Sequence, residues 1–133
     1  MSRSGYSDGL DNWELIRWRG YVASALRGKR GQKFLHELRD ALDAMPEKKL
    51  IPHELEENGE VCALGAVCRA KGIDPTTLEP TEHEAIGAAL DISPKLAQEV
   101  EYINDEYMYT NDPAKRWQNV RQWVAENIRE AAP

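Results

Sequence analysis

Residues 93–107 read Ser93-Pro94-Lys95-Leu96-Ala97-Gln98-Glu99-Val100-Glu101-Tyr102-Ile103-Asn104-Asp105-Glu106-Tyr107. Leu96, Val100, Ile103 and Tyr107 recur at i, i+4, i+7 and i+11, a spacing that lines one face of an α-helix. A strand cannot use this pattern, because its side chains alternate with a period of two. Ser93 offers an oxygen to the free N–H groups of a first turn, and Pro94 has the φ that the first helical position accepts. The same start signal returns at Asp112-Pro113, ahead of Trp117, Val120, Val124 and Ile128. It predicts a last helix running to about Arg129.

Upstream of this stretch the same arguments apply. Thr81-x-x-Glu84 reads as a capping box for a short helix to about Leu90. A helix over about 61–71, closed by Gly72, has Val61, Leu64 and Cys68 on one side and Ala63, Val67 and Ala70 on the other. A helix apolar on both sides is central, and Ala63, Gly65 and Ala66 would let neighbouring backbones approach. Lys48–Glu60 contains Pro52 and the pair Asn58-Gly59, the marks of an irregular link with a short β-hairpin. A helix over about 31–45 buries Phe34, Leu35, Leu38, Ala41, Leu42 and Met45 before Pro46 ends it. The first helix opens on the capping box Asp11-x-x-Glu14, buries Leu15, Trp18, Val22, Ala25 and Leu26, and stops at Gly28. Residues 1–10 show no periodicity and read as a flexible tail. The expectation is an all-α, compact single-domain bundle of about six helical segments over residues 11–133, with one short β-hairpin near Asn58-Gly59.

At 133 residues, 41% hydrophobic and 30% charged, the chain suits one core. No apolar run approaches the ~18 residues of a membrane span, so no membrane partner is expected. Met1-Ser2-Arg3-Ser4-Gly5 lacks the apolar stretch of a secretion signal, and the two cysteines read as free thiols of a reducing compartment. Those features point to the cytoplasm. The net charge of -6 is unevenly spread. Residues 1–50 hold ten Lys/Arg against seven Asp/Glu, residues 51–112 three against fourteen, and residues 113–133 four against two.

Candidate chemistry is sparse. Cys62, Cys68, His53 and His83 are metal-ligand types, but thiols six residues apart on a helix diverge by about 120°, unlike the CxxC spacing of zinc sites. No metal and no cofactor are expected, and no catalytic residue is assigned. Asn104-Asp105-Glu106 could do acid–base work, yet such side chains more often satisfy loop backbone groups. Arg27, Lys29, Arg30 and Lys33 form a basic patch between the first two helices, able to meet phosphate or the chain's own acidic middle. Residues 74–106 carry nine carboxylates and one cation, Lys95, about one charge per 5 Å of helix against one per about 1.7 Å in duplex DNA. That spacing favours a solvated face over nucleic-acid mimicry, with a binding face over 74–106 left open beside it. Trp13, Arg17 and Tyr21 share the face of the first helix opposite its apolar stripe, and Trp, Tyr and Arg are the residue types enriched at binding hot spots.

The segment Gly59-Glu60-Val61-Cys62-Ala63-Leu64-Gly65-Ala66, followed by Ile103-Asn104-Asp105 and then by Arg116, Val120 and Trp123-Val124, resembles a diffuse group of uncharacterised small proteins of phage, prophage and bacterial origin. They pair a CxLGA helix with a later ND…V..W helix. Ser2-Arg3-Ser4-Gly5-Tyr6, Trp18-Arg19-Gly20 and Arg27-Gly28-Lys29-Arg30-Gly31-Gln32 are similar to phage and prophage members. The likeness runs over most of the chain and makes Cys62, Gly65, Asn104 and Asp105 a family motif. It implies an all-α fold and a phage setting in a host cytoplasm. The leading expectation is a non-enzymatic protein-interaction module that acts on a host or phage protein, such as an inhibitor of a host defence or regulatory complex (anti-CRISPR-like). The alternatives are a small nucleic-acid-associated regulator using the basic patch, and a small enzyme or metal protein around Cys62 and Asp105. Self-association into a homo-oligomer stays open beside them.

Overall fold

A computed structural model describes residues 2–5 and 11–130. Six helices account for most of it: α1 (Asn12–Arg27), α2 (Lys29–Ala44), α3 (Ala63–Ala70), α4 (His83–Leu90), α5 (Pro94–Asp105) and α6 (Pro113–Asn127). A 3-10 turn at Pro75–Thr77 and a two-stranded hairpin, β1 (Glu56–Glu57) with β2 (Glu60–Val61), complete the order. The all-α expectation and its single short hairpin both hold. Asn58 and Gly59 take φ of 53° and 83°, the two positive values a type I′ turn needs. Glu57 pairs with Glu60 and Glu56 with Val61 across it.

Start signals at three helices work as their chemistry demands. The side chains of Asp11, Ser93 and Asp112 accept from the N–H groups of Glu14, Leu96 and Ala114 at 2.8, 3.1 and 3.0 Å. Thr81 does not cap α4. That helix begins two residues later behind Glu82, with no side-chain cap, and ends where Asp91 turns left-handed at φ 57°. Helix α3 begins later than expected as well. Val61 ends β2, and Cys62 becomes the N-cap, its Sγ accepting from Gly65 N at 3.5 Å.

The core is one cluster in which α3 is central: Ala63 through Cys68 are all buried, and α3 packs on both α2 and α5. Leu35, Leu38, Leu42, Leu64, Val100 and Val124 lie at its heart. Gly65 allows the closest approach of α3 to the loop before it, since a Cβ there would stand 2.0 Å from the Leu55 carbonyl oxygen. Gly31 does the same at the α1–α2 corner, where a Cβ would meet Ala25 O at 1.9 Å.

One expectation needs correction. Tyr107 is not core: α5 ends at Asp105, and Tyr107 lies beyond it, 43% exposed. Within the stretch 1–10, read as a flexible tail, Arg3 and Ser4 are buried and bonded to α5 and the residue after it. Residue 1 and residues 6–10 lie outside the described residues. No helix among the described residues is long and apolar enough to cross a membrane.

Candidate functional site

The Trp18, Val22 and Leu26 stripe of α1 is buried against the bundle. At 100° per residue the opposite stripe holds Trp13, Ile16, Arg17, Gly20 and Tyr21, and all five are exposed. Trp13, Ile16 and Tyr21 are 71%, 61% and 62% accessible. A groove of about 400 Å³ runs beside them, lined by Gly5, Glu14, Arg17, Tyr21, Lys95 and Gln98. Lys95 Nζ lies 4.9 Å from the centre of the Trp18 ring, which forms the groove floor. The aromatic residues singled out from spacing alone are thus brought together on one open helix face, with Ile16 added. A second exposed group, Tyr107, Met108 and Tyr109, follows α5. Sequence reading missed it because the helical period was carried one turn too far. Met108, at φ 50°, turns left-handed in this loop beyond the helix end.

The basic patch is where the sequence placed it, at the α1–α2 corner, with Arg27, Lys29, Arg30 and Lys33 at the surface. Arg30 turns to the acidic middle of its own chain, pairing with the Asp91 carboxylate at 3.1 Å and carbonyl at 3.3 Å.

The motif residues Cys62, Gly65, Asn104 and Asp105 do converge, and their contacts are architectural. Asn104 Oδ1 accepts from Ala63 N at 3.0 Å, capping α3 from a distance, while its Nδ2 donates to Ile51 O at 2.9 Å and to Asp105 Oδ1 at 2.8 Å. Cys62 N donates to Leu55 O at 3.1 Å. One amide therefore ties α5 to the start of α3 and to the 51–55 loop. Both thiols are buried. Burial, followed by the neighbouring Cys62, pushes the Cys68 thiol up to about 11. No three or more His, Cys, Asp or Glu side chains among the described residues are placed to share a metal ion.

Beside the motif lies a buried ionic cluster that sequence reading did not foresee. Arg3 forms a fork on Asp105, Nε to Oδ2 at 2.6 Å and Nη2 to Oδ1 at 2.8 Å, with Glu101 Oε2 3.8 Å from Nη1. Glu101 is fully buried and bonds to His83 Nε2 at 2.6 Å. Burial raises the Glu101 carboxyl above its ordinary value, against the lowering effects of His83 and Arg3. Burial alone would lower the Arg3 guanidinium. Cys62, the bond to Asp105 and the charges of Asp105 and Glu101 outweigh it, so the net direction is upward and Arg3 stays charged. Backbone N–H of His53, a residue at φ 72°, adds a 3.3 Å bond to Asp105 Oδ1. The one local signal for Glu101 was a charge set among the inward positions Ala97, Val100 and Asn104. Nothing local marks Arg3, whose partner is 102 residues away. This arrangement can hold a planar cation. The exposed His53 ring stands at its edge, Nδ1 3.8 Å from Asp105 Oδ2.

Set beside known proteins, the chain matches no family model, no curated protein and no solved structure.

Proposed function

We propose that this chain is a non-enzymatic protein-interaction module, docking on a partner protein through the outer face of α1. The observation that carries the reading is the exposure of Trp13, Ile16 and Tyr21 on one helix stripe with Arg17 between them. Scattered single apolar residues on a surface need no explanation, whereas large apolar side chains exposed together along one helix stripe mark a contact site. Aromatic anchors with an arginine are also what dominates binding energy at interfaces. The partner follows from the phage-like sequence motifs: a host or phage protein in a defence or regulatory complex, which the module would inhibit by occupying it.

The test pairs stability with capture. Trp13→Ala with Arg17→Ala should shift folding stability by no more than about 0.5 kcal/mol, as for surface positions generally. Capture of partner proteins from host cytoplasm should fall about thirtyfold in affinity, the equivalent of a 2 kcal/mol hot spot. A double variant that unfolds would show the face to be packing, and one that retains the same partners would remove the proposed site.

The exposed Arg27, Lys29 and Lys33 favour nucleic acid as the second reading. Binding through phosphate would weaken steeply with salt, and Lys29→Glu with Lys33→Glu would abolish it. The α1 aromatic contacts would survive both changes.

A further inference from the structure

We infer that the cleft between α4, α5 and the 52–54 loop is a guanidinium-binding site, filled by the chain's own Arg3, whose ligand class is an alkylguanidinium such as an arginine side chain. The two carboxylates of this cleft are held by the body of the fold, independently of Arg3. Asp105 is fixed by Asn104 Nδ2 and His53 N, and Asn104 in turn by Ala63 N and Ile51 O. Glu101 is fixed by His83. The receptor is therefore preorganised by α3, α4, α5 and the 51–55 loop.

The occupant comes from the far end of the sequence. Arg3 belongs to a short segment in which Ser4 Oγ donates to Glu106 at 2.6 Å and Ser4 O accepts from Gln98 Nε2 at 3.3 Å. A carboxylate presenting both oxygens to Nε and Nη2 matches the flat fork of a guanidinium and cannot be matched by an ammonium. The fit is also incomplete. Arg3 Nη1 and Glu101 Oε2 make no hydrogen bond among the described residues although both are buried. They face each other at 3.8 Å. Arg3 thus bonds in full to Asp105 and meets Glu101 only at ion-pair distance.

On its outer side Arg3 borders an open hollow of about 520 Å³, whose other walls are Ser2, His53, Glu54, Glu79, Pro80 and Thr81 and which neither Glu101 nor Asp105 lines. Glu54 and Glu79 stand at this rim, and like charges lining a cleft focus the field that draws in a cation. An incoming guanidinium must displace Arg3, which as a tethered competitor acts at an effective concentration on the order of millimolar. The native chain should therefore hide the site, and removing Arg3 should reveal it.

The experiment uses the full chain with Arg3→Ala, read by thermal unfolding in millimolar ethylguanidinium, with ethylammonium at equal ionic strength as the control. The variant should melt below the native protein, and ethylguanidinium should recover half or more of the loss while ethylammonium recovers little. Native protein should respond to neither. Where Arg3→Ala does not fold alone, return of the helical circular dichroism signal on adding ethylguanidinium is the equivalent readout. Arg3→Lys, which keeps the charge and loses the fork, should be rescued the same way. Free L-arginine and an end-blocked Ser-Arg-Ser-Gly peptide distinguish two sources. Equal rescue by both assigns a small-molecule ligand, and rescue at much lower peptide concentration assigns an arginine within a polypeptide. Equal effects of the two small cations, a native protein stabilised as strongly as the variant, or an Arg3→Ala chain of unchanged stability would each overturn the assignment.

Discussion

Replacing Gly65 by Ala should destabilise this protein even though Ala is the better helix former. Gly65 is the third residue of α3, and a Cβ placed there lies 2.0 Å from Leu55 O, 3.0 Å from Leu55 C and 3.1 Å from Val61 Cβ. A carbon–oxygen contact needs about 3.3 Å, so α3 and the 51–55 loop must part by about 1 Å. The obstacle is backbone, which cannot rotate away as a side-chain tip can. Overpacking of this kind costs about 1–3 kcal/mol, and loss of the Cys62 N to Leu55 O bond adds about 1 kcal/mol. The helix preference of Ala over Gly returns about 1 kcal/mol, leaving a net loss of about 1–3 kcal/mol. Gly20 is the matched control, because it sits mid-helix in α1 and a Cβ added there would meet nothing within 4 Å. Gly20→Ala should therefore gain about 0.5–1 kcal/mol. Urea unfolding at constant m-value would measure both, and the two midpoints should move in opposite directions. A Gly65→Ala protein as stable as the native one would show that the α3–loop contact is looser than these distances require.

Removing the Asn104 amide by Asn104→Ala should cost about 2–6 kcal/mol, since it strips partners from the buried Ala63 N and the part-buried Ile51 O and each orphan costs about 1–3 kcal/mol. Hydrogen exchange at Ala63 should accelerate with it, and unchanged exchange would deny the amide its capping role. Alkaline stability gives a further check. The unfolded chain ionises Cys68 near its ordinary 9.0 and the folded chain only at about 11, so the folded state holds the extra proton. Stability is then lost as pH rises from 9 through 11, by at most about 2–3 kcal/mol, and Cys68→Ala should flatten that slope in alkaline denaturation curves.

Legibility followed the range of the interactions. Periodicity and cap chemistry act within a turn or two, so α1, α2, α5 and α6 could be read with their cores, and Asn58-Gly59 with its turn. Errors fell where a distant partner decides. Cys62 was read into the first turn of the helix and became its N-cap, with Asn104, 41 residues beyond Ala63, supplying the acceptor for Ala63 N. Tyr107 matched the α5 period, but the chain leaves the helix at Asp105, where the side chain is held by Arg3 and by His53 N. The place of Arg3 was illegible because its ion pair spans 102 residues, and no local pattern encodes that. The aromatic stripe of α1 was legible for the opposite reason: exposure on a helix is the complement of its buried stripe.

The uneven charge along the chain takes its meaning from these long-range contacts. Arg3 with Glu101 and Asp105, Arg30 with Asp91, and Lys49 with Glu60 all join the basic first segment to the acidic middle. Glu101 and Asp105, both among the carboxylates between 74 and 106, are consumed inside the fold, which makes the surface sparser still as an imitation of nucleic acid. Exposed pairs such as Arg30 with Asp91 contribute little stability. The buried pair differs, because breaking it by removing one partner strands a charge without solvent. Its strand of attachment also matters. Gly5, two residues after Arg3, lines the groove that Arg17 and Tyr21 border, so the segment that fills the guanidinium site passes beside the proposed docking face. A partner that bears on Trp13, Arg17 and Tyr21 while offering an arginine to Asp105 would meet one continuous surface, with the chain's own N-terminal segment lying between its two halves.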